Sequence, residues 1–266
     1  PSFSLWRCRR RSASSVPESE DAGMIDSHAF IVIPVKSFHG AKRRLDPVLG
    51  VSERAGLARV MLDDVLAAAV AAVSSAQVMV VSGDAEVADH VRSVGVRVID
   101  DEGAKGTNAA VKVGFDAIGR NGGGPVAALL GDIPGLASAD VASLFDAAFR
   151  SCIALAPASH DRGTNALALD RIGRIASHFG PDSFSRHVDA ANAAGFRPTV
   201  IWNRRLGLDL DEPAQLFAFL DLATSTRTDS YLRRLGLGAP QEAREDHVGA
   251  RSVLSARRSS VEMRGW

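Results

Sequence analysis

Cysteine is almost absent from this chain: its 266 residues include only Cys8 and Cys152. Two thiols are too few for a disulfide framework or a metal knuckle, and they fit a reducing compartment. A net charge is missing as well, with Lys plus Arg and Asp plus Glu both numbering 31. That balance argues against a general nucleic-acid or membrane-surface binder and requires any anion site to be local. No apolar run approaches the roughly 18 residues of a membrane span, and the amino-terminal segment lacks the apolar stretch of a secretory signal. The expectation is a soluble, cytoplasmic protein.

What is present is a long patterned middle between two unpatterned ends. Residues 1–23 begin with Arg7-Cys8-Arg9-Arg10-Arg11 and continue with Ser, Glu and Pro but no apolar period, which reads as a disordered or non-native extension, with Met24 as the natural start. Residues 239–266 mix Arg, Ser and Glu in the same aperiodic way and read as a loose tail. Residues 24–238 are long enough for one α/β domain.

Within that domain the pattern alternates. Apolar strands are expected at 29–35, 77–82, 96–99 and 126–132, separated by helices at 52–73, 85–94 and 108–118, and the order implies a parallel sheet with helices on both faces. A helix at 138–150 follows. Strands at 152–157 and 165–170 flank a polar loop, suggesting a hairpin and therefore a mixed, mainly parallel sheet. The remaining expectations are a helix at 183–194, a strand at 196–202 and a helix at 215–222.

Chemistry-bearing residues gather where strands end. The strand Val126-Ala127-Ala128-Leu129-Leu130 stops at Gly131-Asp132-Ile133-Pro134, and the carboxyl ends of strands are where open α/β sheets bind ligands. Asp132 either caps a turn there or holds a cation. Lys36, Lys42, Arg43 and Arg44 follow the first strand, either as a solvated loop or as a grip for phosphates. Gly106-Thr107-Asn108 opens a helix with Asn108 or Thr107 as its cap, and the glycine allows a ligand close approach. Ser183, beside Gly180, caps another helix whose amino end suits a phosphate or carboxylate. Asp209 and Asp211 lie two apart and so share one face of an extended segment. Together with Asp132 they offer hard oxygen donors of the type that Mg²⁺ takes, although Asp211 also reads as the cap of the next helix.

Six blocks in chain order resemble one family: Pro34-Val35-Lys36 with Lys42-Arg43-Arg44-Leu45, Gly106-Thr107-Asn108-Ala109-Ala110, Gly131-Asp132-Ile133-Pro134, Gly163-Thr164-Asn165-Ala166-Leu167, Phe179-Gly180 with Ser183-Phe184, and Asp209-Leu210-Asp211. The match is to the 2-phospho-L-lactate guanylyltransferase family of coenzyme F-420 biosynthesis, which includes phosphoenolpyruvate and 3-phospho-D-glycerate guanylyltransferases, and it spans about 29–222. The resemblance implies a three-layer, Rossmann-like nucleotidyltransferase fold of the nucleotide-diphospho-sugar transferase type. It implies GTP as donor, a small phosphorylated acid as acceptor, Mg²⁺ as cofactor and hand-over of product to a downstream transferase. By position, Asp132, Asp209 and Asp211 resemble the metal ligands. Lys36, Lys42 and Arg44 resemble the triphosphate clamp, Gly106 and Asn108 the nucleotide contacts, and Thr164, Gly180 and Ser183 the acceptor contacts. Arg43 stands where family members often carry a small hydroxyl residue, and Thr107 where leucine is expected. His160, His178 and His187 are then polar surface residues or residues behind the site. Two other readings stay open: another nucleotidyltransferase of the same fold, although Pro34–Gly40 is not the Gly-rich loop such enzymes carry, and a non-catalytic GTP-binding subunit.

Overall fold

Short apolar strands between helices with one apolar side produce a sheet covered on both faces. The computed structural model describes residues 28–222 and 224–238. Among these, seven strands form one sheet: β1 (Phe30–Pro34), β2 (Val78–Val81), β3 (Arg97–Ile99), β4 (Val126–Leu129), β5 (Ile153–Pro157), β6 (Thr164–Leu169) and β7 (Thr199–Val200). Their order is β3-β2-β1-β4-β6-β5-β7. Every ladder is parallel except the two that β6 makes with β4 and β5. Because β6 runs backwards, its first residues, Thr164 and Asn165, lie at the same sheet edge as the carboxyl ends of β1, β4 and β5. The expected mixed, mainly parallel sheet and its hairpin are both present.

The helices are α1 (Val51–Ala72), α2 (Ala85–Ser93), α3 (Thr107–Arg120), α4 (Ser138–Ser151), α5 (Ser183–Ala193), α6 (Arg204–Gly207), α7 (Pro213–Leu220) and α8 (Arg227–Arg234). Strand alternation divides the core. Ile31 and Ile33 of β1 face Leu62 and Val65 of α1, Val87 of α2 and Phe145 of α4, whereas Val32 faces Val111 and Phe115 of α3. At Gly114 of α3 a Cβ would stand 2.6 Å from Val32 Cγ1, so glycine lets this helix lie close on the sheet. A third cluster joins Leu45 and Leu49 of the loop after β1 to Leu57 and Met61 of α1, Leu210, and Leu216 and Phe219 of α7. It binds together the two loops that carry Lys42 and Asp211. Among the described residues no helix is long and apolar enough to cross a membrane.

Helix boundaries depart from the sequence reading where caps are concerned. Gly106, with φ +98°, precedes α3, so neither Asn108 nor Thr107 caps it. Asp182, with φ +53°, precedes α5, and the Ser183 N–H closes a turn on Gly180 O, so Ser183 is the first helical residue and its hydroxyl caps nothing. Glu212, not Asp211, precedes α7, its N–H bonded to Gln215 Oε1. The strand expected at 196–202 is reduced to Thr199–Val200, paired with β5, because Pro198 has no N–H for a ladder and Phe196 instead lies under the Arg174 guanidinium, 4.8 Å from its ring centre. The expected loose ends at 1–23 and 239–266 lie outside the described residues.

The polar helix α8 has no counterpart in the sequence reading. It is docked by α1: Asp64 accepts from the backbone N–H groups of Arg227 and Thr228 at 2.9 and 2.8 Å, and Tyr231 donates to Glu53 O at 2.9 Å. A carboxylate from another helix thus satisfies orphan donors of the first turn. Asp64→Ala should lower stability by about 1–2 kcal/mol, read from the denaturation midpoint; an unmoved midpoint would show that α8 does not depend on this cap.

Candidate active site

The loop after β1 turns back on itself at Lys42, which adopts φ +54°, an uncommon conformation for a residue with a side chain. This conformation precedes a single 3-10 turn, Arg43–Leu45, anchored by buried Leu45. The Lys42 side chain, only 8% exposed, enters an acidic cluster. Its Nζ donates to Asp132 Oδ2 at 2.6 Å and to Asp211 Oδ1 at 2.5 Å. Residues 90 and 169 positions away in the chain thereby meet at one ammonium.

The carboxylates are held from their own elements. Asp132 lies just beyond β4, and its backbone carbonyl accepts from Leu210 N at 3.1 Å, which stitches the Asp209-Leu210-Asp211 segment alongside. Asp209 is buried at 5% exposure and accepts from Asn165 Nδ2 at 3.0 Å, while His160 Nδ1 lies 3.6 Å away. Asn165 also donates to Leu206 O at 3.0 Å, so the start of β6 sets where Asp209 points.

Charge in this cluster is unevenly shared. Burial pushes the Asp209 carboxyl up to about 6, with the Asp132 charge adding to the rise and the Asn165 hydrogen bond opposing it. For Asp211 burial also pushes upward, but Lys42 outweighs it and holds the carboxyl below its ordinary value. Burial alone would lower the Lys42 ammonium, yet Asp132 and Asp211 together hold it above the ordinary lysine value.

Asp132 Oδ1 is buried with no hydrogen-bond partner. A buried carboxylate oxygen lacking a donor, beside two further carboxylates, suits a hard divalent cation. Among the described residues no three His, Cys, Asp or Glu side chains are gathered ready to hold an ion: Lys42 lies between two of the aspartates and Asn165 engages the third. The donor set fits Mg²⁺ in chemical type.

A cleft of about 150 Å³ adjoins the cluster, lined by Pro34, Lys36, Phe38, Lys42, Met61 and Asp132. Lys36 is exposed at this cleft. Arg44 stands further out, 67% exposed and 3.3 Å from Glu212. Lys36 and Lys42 therefore share a wall with Asp132, while Arg44 is joined to the site through Glu212, next to Asp211.

Thr164, Gly180, Ser183 and Asn108 form a second group at the start of β6 and the loop ahead of α5, whereas Gly106 precedes α3 with nothing within 4 Å of its Cβ position. Thr164 and Ser183 are buried at 2% and 1% exposure, and the Ser183 hydroxyl has no partner. Gly180 takes φ +116° in the loop ahead of α5. Asn108 bridges to this loop: its Nδ2 donates to Phe179 O at 2.9 Å and its Oδ1 accepts from Phe179 N at 2.7 Å. The Asn108 amide, expected beside a base or ribose, here braces the Phe179–Gly180 turn against α3.

Two participants were not assigned roles from sequence. Asn165 lies inside the Gly163-Thr164-Asn165 block, so its motif was visible but its hold on Asp209 was not. His187, expected at the surface or behind the site, is fully buried and contacts Thr164; a single histidine on an amphipathic helix carries no signal that would reveal this.

The family described as "Guanylyl transferase CofC like" matches residues 29–252. The phosphoenolpyruvate guanylyltransferase of Rubrobacter xylanophilus is 39% identical over 70% of this chain and 91% of its own length. The 2-phospho-L-lactate guanylyltransferase of Methanothermobacter thermautotrophicus is 34% identical over 77% of this chain and 89% of its own. Among solved structures, a protein named as a nucleotide-diphospho-sugar transferase from Desulfovibrio desulfuricans G20 superposes with a TM-score of 0.64 at 18% identity, covering 78% of this chain and 95% of that one. At that identity the likeness speaks for the fold alone.

Proposed function

The chain belongs to the CofC-like guanylyl transferase family and is a nucleotidyltransferase, and on that premise we propose that it transfers GMP from GTP to the phosphate of a small phosphorylated acid. The acids of this class are phosphoenolpyruvate, 2-phospho-L-lactate and 3-phospho-D-glycerate, and the setting is coenzyme F-420 biosynthesis in the cytoplasm, with a downstream transferase consuming the product. The observation that carries the reading is the pairing of an acidic-cationic cluster at Lys42 with two buried hydroxyls, Thr164 and Ser183, the second without a hydrogen-bond partner. One group suits a metal-bound triphosphate and the other an anionic acid.

In this reaction an oxygen of the acceptor phosphate attacks the α-phosphorus of GTP and forms a new P–O bond. The bond from that phosphorus to its bridging oxygen breaks, and pyrophosphate departs with the electron pair. The nucleophile is already an anion, so no protein base has to remove a proton. Repulsion between two highly charged reactants is the main barrier that the protein must lower, by holding them in line and neutralising them. Asp132, Asp209 and Asp211 would hold Mg²⁺, which when bound would supply neutralisation of phosphate oxygens. Lys42 and Lys36 on the cleft wall face the triphosphate, and Arg44 adds positive charge at the rim. Thr164, Ser183 and the backbone around Gly180 take the acceptor, where hydroxyl protons and the amino end of α5 favour an anion.

Pyrophosphate release from GTP, followed with each of the three acids in the presence and absence of Mg²⁺, tests the proposal. Release with at least one acid, dependent on Mg²⁺, is expected. Tight GTP binding without release with any acid would overturn it in favour of a binding subunit, and equal release from CTP or ATP would overturn the choice of donor.

A further inference from the structure

We propose that His187 is a positioning residue for the acceptor acid: it fixes the hydroxyl of Thr164 so that the Thr164 proton is free for the incoming ligand. The inference rests on the reading that Thr164 touches the acceptor. His187 lies in α5 with no solvent exposure, its ring edge-on to Phe179 at 5.3 Å and to His178 at 5.7 Å. Both ring nitrogens are engaged: the backbone N–H of His178 donates to Nε2 at 2.8 Å, and Nδ1 lies 3.1 Å from Thr164 Oγ1.

These two contacts determine where the protons are. A backbone amide can only donate, so Nε2 must be bare. A neutral imidazole with a bare Nε2 carries its proton on Nδ1 and therefore donates to Thr164 Oγ1. The Thr164 oxygen is thus an acceptor on its inner side. Its one proton cannot also turn toward His187 and is directed elsewhere. In a buried pocket that arrangement yields a fixed donor, whereas a freely rotating hydroxyl would lose entropy on ligand binding.

Competing protonation states are disfavoured by the surroundings. A cationic ring would place an Nε2 proton against the His178 N–H. Burial, with His178 and then Arg186 adding positive charge nearby, depresses the His187 pKa to about 4, although a hydrogen bond between the ring and the Ser183 backbone opposes the shift. The ring also ties the His178–Gly180 turn to β6, and Asn108 holds the same turn from α3 at Phe179. Thr164 and the Gly180–Ser183 turn are thereby kept in one geometry from behind.

Steady-state kinetics of Thr164→Val, His187→Leu, His187→Asn and the Thr164→Val/His187→Leu double variant test the proposal. Thr164→Val and His187→Leu should each raise the KM for the acceptor by about tenfold, with the KM for GTP within about twofold. His187→Asn places an amide N–H near the position of Nδ1 and should recover most of the loss. The double variant should be no worse than Thr164→Val alone, because His187 acts through that hydroxyl. Penalties that multiply in the double variant, or a His187→Leu defect confined to GTP, would overturn the role of His187. An unchanged acceptor KM in Thr164→Val would instead overturn the acceptor reading itself. Should His187→Leu fail to fold, imidazole ¹⁵N spectra of the wild-type protein near neutral pH decide: a neutral ring protonated at Nδ1 is expected, and protonation at Nε2 refutes the proposal.

Discussion

Asp132→Asn should reduce turnover by at least about 100-fold while the fold persists. The substitution preserves shape and removes one charge, so the side chain still fills its place beyond β4 and the backbone link from Leu210 N to Asp132 O is untouched. Two functions are lost. An amide holds a divalent cation far more weakly than a carboxylate, and one of its two polar ends is an N–H₂, which cannot accept at all. Lys42 also loses half of its ionic partners, since Asp132 Oδ2 and Asp211 Oδ1 share that ammonium. The defect should fall on kcat, with the acceptor KM changing less, because Thr164 and Ser183 belong to a different group of contacts. Circular dichroism and the thermal midpoint would report the intact fold, and pyrophosphate release the lost turnover. Turnover within about threefold of wild type would remove Asp132 from the chemistry.

The extent to which this site was legible in the sequence follows from how local each signal is. The succession of strands along the chain and the mixed sheet are read from apolar runs and the polar 159–164 loop, because burial on two faces leaves β4 and all of β6 after Asn165 without a polar position. The pairing of Asp209 with Asp211 is a two-residue period and needs no tertiary knowledge. What could not be read is whatever one segment does for a distant one. Asp64 stabilises the first turn of α8 from α1, and the Arg227–Arg234 stretch, although capped locally by Thr226 Oγ1 on Asp229 N, is too polar to read as an amphipathic helix from sequence. Asn108 looked like a cap because asparagine often is one, yet Gly106 with its positive φ already serves that position, and the amide is used on Phe179. Ser183 likewise reads as a cap until the αL conformation of Asp182 shifts the helix start by one residue, leaving a buried hydroxyl without a partner. In each case the residue type was informative and its partner was not.

Lys42→Met should also impair turnover by about 100-fold, and it carries a second signature that distinguishes its role from that of Asp132. Methionine matches the length of the lysine stem but leaves the carboxylates of Asp132 and Asp211 facing each other without a cation. Removing one member of a buried ion pair typically costs about 3–5 kcal/mol. Here the partners are partly wet, with side-chain exposures of 26% and 37%, so a loss of about 2 kcal/mol is the sounder expectation. An added divalent cation can take the place of the missing ammonium between these carboxylates. Binding to the folded state alone raises stability in proportion to RT ln(1 + [L]/Kd), so Mg²⁺ should raise the melting temperature of Lys42→Met more than that of wild type, in which the ion must first displace Lys42. Turnover should nevertheless remain low even at saturating Mg²⁺, because the positive charge that faces the triphosphate is not restored. Thermal melts across a Mg²⁺ titration, paired with initial rates at the same concentrations, measure both effects on one sample. If the metal stabilises the two proteins equally, Lys42 does not compete for the cation position between Asp132 and Asp211, and its part in the reaction is confined to the triphosphate.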